Sequence, residues 1–365
     1  MRSALIIIAT LLAGAGTAAA YPQFQLSRDQ TCSGCHLSPA GGGLLNENGL
    51  NTAESISQYG TAPEFIMGKV PTPSWLALGG DLRAAGGFLR TPTNNPAAFP
   101  MQAEVQARAT FGHLSIEADV GFRPPQWDNK AATLVWSREH YVTYQTNAGG
   151  SDGLFIRVGR FMPVMGLRLA EHPDYTREYG GTPLYAETYG ASVSYIQPTY
   201  EIHASGFIKD PLIDPVVHDN GGALYGEYRV SEATAVGLEA MASFSNDDRH
   251  YRGGLTAKHY FASQDALVQV EGQVVNQVIV DGGGPVQLVG YALLSKFLGK
   301  AFLLDFGLGH FDENVRIKGL RRDAADVNLH WFVSSHLELL WQNRAEVLSY
   351  GPTGAVSLIQ VHIRL

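Results

Sequence analysis

The sequence predicts an all-β protein: a transmembrane outer-membrane β-barrel of about 16 antiparallel strands, preceded by a small, partly helical module. Three observations predict it. From Trp75 onward, segment after segment of the chain alternates apolar and polar residues, the period of a strand with one face in each environment. Charged residues make up only 16% of the 365 residues while glycines number 41, unlike an ordinary soluble enzyme. After the first twenty residues no run approaches the ~18 apolar residues of a membrane helix, so strands are left as the spanning element.

Residues 1–20 read as a secretory signal peptide. Arg2 gives the positive start, Ala4 to Ala13 the apolar core, and Ala18-Ala19-Ala20 a small-residue cleavage site. The core is too short to span a bilayer, and cleavage before Tyr21 would deliver the chain to the periplasm or beyond. Without the signal, 25 basic residues face 34 acidic ones, a net charge of −9, which excludes nucleic acid as a natural partner.

Residues 21–71 form the N-terminal module. It carries Cys32-Ser33-Gly34-Cys35-His36, the attachment signature of a c-type haem. Two thiols three positions apart lie on about one helical turn, within reach of both vinyl groups of one porphyrin, and His36 then stands where its imidazole takes the iron as proximal ligand. The chain has only these two cysteines, so a four-cysteine zinc site is impossible and a Cys2His2 site lacks its second histidine in the usual spacing. A thioredoxin-like pair would need a βαβ context, which is missing. A periplasmic Cys32–Cys35 disulfide is the remaining alternative. Pro39 and Gly41-Gly42-Gly43 cannot continue a helix and force a sharp turn beside His36. Fifty residues is little to enclose a haem. Met67, the one methionine of the module, is the expected distal iron ligand; His113, His172 and His218 are rivals that require the module to dock into the barrel, and an open iron is a third option.

Residues 72–365 form the barrel. In 101–111, Ala103, Val105, Ala107, Ala109 and Phe111 share one side and Gln102, Glu104, Gln106 and Arg108 the other; Gly112-His113 then reads as a tight turn into 115–122, where Ile116, Ala118 and Val120 alternate with Glu117 and Asp119. Glu104, Glu117 and Asp119 fall on the lumen face and would attract metal cations. Further strands are expected at 74–90, 131–146, 153–162, 187–197, 199–208, 221–231, 233–245, 249–261, 264–279, 285–297, 300–311, 322–333, 335–348 and 353–365. The last residue of such barrels is usually aromatic; here it is Leu365. A large soluble β-sandwich would bury more continuous Val/Ile/Leu faces than these, and propeller-like repeats are not visible. Two connections are too long for turns, 163–187 and 210–221. Each either forms an outer loop in solvent or folds inward as a polar constriction. No nucleophile–base pair, phosphate loop or paired carboxylates stand out.

The pentad, with Pro39, Gly41, Gly42, Leu44, Asn46 and Gly49 behind it, resembles the N-terminus of the fused outer-membrane monohaem cytochrome–porin family, best known from iron-oxidising bacteria. Gly159-Arg160-Phe161-Met162-Pro163-Val164-Met165-Gly166 also resembles a strand-to-inner-loop segment in several porin families. The resemblance implies one covalent haem c on Cys32 and Cys35 with His36 on the iron. It implies electron transfer between an extracellular donor, ferrous iron among the candidates, and a periplasmic cytochrome c or other carrier, in a barrel set in outer-membrane lipid. Any Fe(II)-oxidising activity would be that of an electron carrier rather than of a conventional catalytic site. A solute porin whose haem is a plug or sensor is the alternative.

Overall fold

The computed structural model describes residues 23–90, 94–122, 135–171, 173–211, 220–279 and 282–365; the expected signal peptide, His172 and His218 lie outside them. The alternating stretches form strands β1 Leu76–Arg90, β2 Asn94–Phe111, β3 Leu114–Phe122, β4 Val135–Trp136, β5 His140–Gln145 and β6 Gly153–Phe161. There follow β7 Thr188–Gln197, β8 Tyr200–Ile208, β9 Asn220–Ser231, β10 Thr234–Phe244, β11 Asp248–Phe261 and β12 Ala266–Ile279. The last are β13 Val286–Phe297, β14 Phe302–Asp312, β15 Arg321–Ser334, β16 Leu337–Leu348 and β17 Gly354–Arg364. β4 and β5 both pair with β3 and are two pieces of one strand, so the barrel has 16 staves. Each pairs antiparallel with its sequence neighbours, and β1 pairs with both β2 and β17, which closes the cylinder. Leu365 donates its N–H to the Gly80 carbonyl at 2.8 Å, so the chain end itself completes the seam without an aromatic residue.

The packing is inside-out relative to a soluble protein. Val105, Ile116, Leu238 and Leu308 are 51%, 55%, 65% and 66% exposed, whereas Glu104, Glu117 and Asp119 on the alternate positions are 5%, 6% and 8% exposed. Apolar side chains therefore coat the outside, where lipid replaces water, and polar ones fill the lumen, as a transmembrane barrel requires. No helix among the described residues is long and apolar enough to cross a membrane; the strands do so.

Two strands depart from their expected bounds. β2 begins at Asn94, seven residues before the expected start, and includes Pro96 and Pro100; among the described residues this early part pairs with β1, and the pairing with β3 begins at Ala103. The strand expected at 131–146 breaks at Ser137–Glu139 because the Asp119 carboxylate takes the backbone N–H groups of Arg138 (2.6 Å) and Glu139 (3.1 Å).

The two ends of the barrel differ. Short turns such as Gly112–His113, Glu232–Ala233 and Ser335–His336 crowd one end, while the long connections lie at the other. The segment before β1 packs into the short-turn end. It contains α1 Gln23–Ser27, a single 3-10 turn Cys32–Gly34 and α2 Glu47–Ile56. The 162–187 connection turns inward, burying Met165, Leu167, Leu169 and Tyr175 of its short helix α3 Tyr175–Glu178. Leu167 donates its N–H to Glu271 at 2.9 Å and Tyr175 its hydroxyl to Glu346 at 2.5 Å, both on the lumen wall. Of the two expectations for this segment, the constriction holds. Most of the second long connection lies outside the described residues.

Candidate cofactor site

The pentad folds as its spacing demands. In the 3-10 turn Cys35 and His36 both donate their N–H groups to the Cys32 carbonyl, at 3.2 and 3.0 Å, so both thiols and the imidazole gather on one turn. The chain then reverses through Gly41, Gly42 and Gly43, which have φ of +82°, +75° and +60°. Three successive left-handed residues are open to glycine and costly for anything else. The return strand pins the turn: His36 bridges to Leu45, and Leu37 N–H meets the Leu44 carbonyl at 2.9 Å. Asn46 caps α2, accepting the Gly49 N–H at 3.0 Å, while its amide and that of Asn48 donate to the carbonyls of Ser33 (3.0 Å) and Gly34 (2.9 Å). Gly49 packs so closely on Cys35 that an added Cβ would overlap the Cys35 carbonyl oxygen.

The barrel wall completes what fifty residues cannot. Gln25 donates to Glu227 at 2.8 Å and accepts from Lys258 at 2.6 Å, with Lys258 and Glu227 themselves paired at 2.6 Å and almost wholly buried. Arg108 donates to the Leu37 carbonyl at 2.6 Å and Ser33 to the Ser151 carbonyl at 2.6 Å. On the other side Gln58 and Tyr59 donate their N–H groups to Phe332 and Val333 at 2.9 and 3.0 Å. Arg168, from the inward loop, reaches the Ala40 carbonyl at 3.4 Å, pairs with Glu201 and lies 5.2 Å over the Tyr225 ring.

Between module and wall lies a cavity, with about 930 Å³ of empty space counting its open mouth. Cys32, Cys35, His36, Leu45, Ala53 and Ile56 face it from the module, and Phe332, Leu337, His336, His362 and Arg364 from the wall. Both thiols are unlinked. His36 Nδ1 is buried without a hydrogen-bond partner. Burial, with Arg364 second, pushes the imidazole down to about 4, leaving it neutral and able to bind a metal at ordinary pH. The donor set fits a c-type haem: two unlinked thiols, one neutral imidazole and a largely apolar chamber open on a single volume. Burial raises the Cys32 thiol above its usual range.

The structure does not bring the expected distal ligand to this chamber. Met67 is 49% exposed, with φ +57° beside Ile66 at +49°, and does not line the cavity. The cause is the turn at Glu64–Lys69, which carries the methionine out to the surface while the segment before it is tied to β15. His113 is also elsewhere: its Nδ1 lies 2.8 Å from the Gln145 carbonyl in the β2–β3 turn. The wall residues His336, His362, Arg364 and Phe332 carry no motif, and nothing local in the sequence marked them.

A second, more polar cavity of about 810 Å³ separates the glycine turn from the inward loop, lined by Glu104, Asp119, Glu139, Glu187, Arg138 and Arg177 among others. Glu104, Glu117 and Asp119 do face the lumen, yet not as free acids. Glu117 pairs with Arg108 at 3.2 Å, and Arg138 lies 3.6 Å from Glu104 and also pairs with Glu187. The lumen field is mixed in sign.

The barrel is similar in fold to solved outer-membrane proteins. The anion-selective porin from Comamonas acidovorans superposes with a TM-score of 0.61 at 12% identity, covering 79% of this chain and 98% of its own. Pseudomonas putida OprB gives 0.60 at 9%, covering 80% and 94%, and a loop-deletion mutant of Vibrio cholerae OmpT 0.58 at 13%, covering 80% and 99%. The fold is that of the outer-membrane porins. No protein-family model matches the chain, and neither does any curated protein. The porin fold accounts for the barrel and the localisation in the outer membrane; the pentad module that closes its short-turn end is a separate question.

Proposed function

We propose that this chain is an outer-membrane redox protein in which Cys32 and Cys35 hold one c-type haem and His36 ligates its iron, the module being seated in the periplasmic end of a porin-like barrel. The observation that supports it most is the single chamber onto which both free thiols and the neutral imidazole open, walled by strands nearly 300 positions away. Bound there, the haem supplies reversible one-electron transfer. The chain's residues supply the setting: Phe24, Leu45, Ile56, Phe332 and Leu337 exclude water, and Arg168 and Arg364 place positive charge at the chamber wall. In barrels of this kind short turns are periplasmic and long loops extracellular, so the module faces periplasmic carriers such as a cytochrome c, and the opposite mouth faces an outside donor, ferrous iron being one.

Covalent haem is tested by acid–acetone extraction and a haemochrome assay of the purified chain. About one haem per chain, lost in Cys32→Ser/Cys35→Ser, is expected; none in the wild type sinks the reading. Transfer is tested in proteoliposomes: external ferrous iron should reduce an enclosed dye, and failure to do so rejects the conduit. The porin fold itself favours a second reading, a solute channel with the module as plug or sensor. It predicts steady ion conductance in planar bilayers, which a lumen filled at one end by the module should lack.

A further inference from the structure

Resting on the haem reading above, we propose that His336 of the barrel wall supplies the second axial ligand. Among the described residues, three imidazoles line the chamber: His36 from the module, and His336 and His362 from the wall. No methionine does. A ligand for the face opposite His36 must therefore come from the wall.

The two wall histidines differ in what holds them. His362 is clamped between carboxylates, Nε2 at 2.6 Å from Asp81 and Nδ1 at 3.2 Å from Glu338. Glu338 in turn contacts His330 Nδ1 at 2.8 Å. An imidazole with an acid on each nitrogen is satisfied and would leave buried carboxylates unpaired on turning away. His336 has only backbone carbonyls: Arg364 O at 2.8 Å from Nδ1 and Ala62 O at 2.7 Å from Nε2. A neutral imidazole carries one N–H. A neutral ring that donates Nδ1–H to Arg364 O holds its Nε2 lone pair available to a Lewis acid once the Ala62 carbonyl moves aside, and an Nδ1–H donated to a backbone carbonyl is the arrangement that orients ligating histidines. The residue that must yield, Ala62, lies in a segment without regular structure, and His336 itself sits in the two-residue β15–β16 turn.

This ligation makes the haem a bolt between module and barrel. It also sets a lower potential than the thioether expected from Met67, since Met/His ligation raises it.

The test uses the full chain, purified in detergent with its haem attached. Electron paramagnetic resonance and near-infrared magnetic circular dichroism should give a low-spin, two-imidazole signature. His336→Ala should lose it, bind carbon monoxide when reduced, and regain the low-spin signal with added imidazole. His336→Met should gain the thioether charge-transfer band and a higher potential, which keeps the proposal testable should the alanine variant fold poorly. Met67→Ala should leave the spectrum unchanged. A low-spin spectrum that persists in His336→Ala, or a wild-type thioether band abolished by Met67→Ala, overturns the proposal while the haem content upholds the redox reading. Absence of covalent haem overturns both.

Discussion

Lys258→Met should loosen the module from the barrel without opening the barrel itself. Lys258 Nζ bonds Glu227 and the Gln25 amide oxygen, both at 2.6 Å, and Glu227 also accepts from the Gln25 amide (2.8 Å) and the Tyr225 hydroxyl (2.6 Å). These residues join β9, β11 and α1 in a site with side-chain exposures of 1% and 2% for the ion pair. Removing one partner of a buried pair costs about 3–5 kcal/mol. Glu227 keeps two donors, so the lower end applies, about 3 kcal/mol. The cost falls on the docked state, because the module can leave while the strand ladders stay intact. At 1.4 kcal/mol per tenfold, the open population rises about a hundredfold. The assay is thiol labelling of Cys32 in haem-free chain, since that thiol is 8% exposed when docked and reacts on opening. Labelling should speed up about a hundredfold, with heat-modifiable migration of the barrel unchanged. Adding Glu227→Gln removes the stranded charge and should restore most of the protection. A labelling rate within about twofold of wild type, less than 0.5 kcal/mol, would refute the reasoning.

Gly49→Ala should prise α2 off the pentad turn, because its Cβ would overlap the Cys35 carbonyl; haem incorporation measured by haemochrome assay should fall several-fold while barrel assembly is spared. Leu238→Arg, at a lipid-facing position 65% exposed near the middle of β10, should cost about 2–4 kcal/mol, read as a lowered urea midpoint for barrel folding into vesicles. Glu178, in the inward loop, is pushed up to about 7 chiefly by burial. A carboxyl whose folded value lies above its ordinary one keeps its full stabilisation at low pH and loses it as pH rises from about 4.5 to about 7. The loop should therefore be released by at most about 3 kcal/mol over that window, seen as more frequent current fluctuations in bilayers above pH 7 that Glu178→Gln abolishes. Fluctuations independent of pH would reject it.

What the sequence determined by itself is the part governed by local rules. Strand periodicity is set by the pleat, so Ala103 to Phe111 and Ile116 to Val120 announce their faces without knowledge of their neighbours. The Cys32–His36 turn and the three glycines after it are likewise local, because thiol spacing and left-handed backbone are properties of a few adjacent residues. Closure decided the rest. β2 runs back to Asn94 because β1 offers it a partner as far as Arg90, and β4 and β5 part because Asp119, on another strand, takes the intervening N–H groups. The chamber's far wall is assembled from Phe332, His336, His362 and Arg364 when β15 to β17 come round to β1. Met67 lies away from the chamber for the same reason: proximity in sequence placed it in the module, and the Glu64–Lys69 turn carried it to the surface. An inward-facing histidine looks alike on every strand; only strand order and register determine which of them meets the pentad.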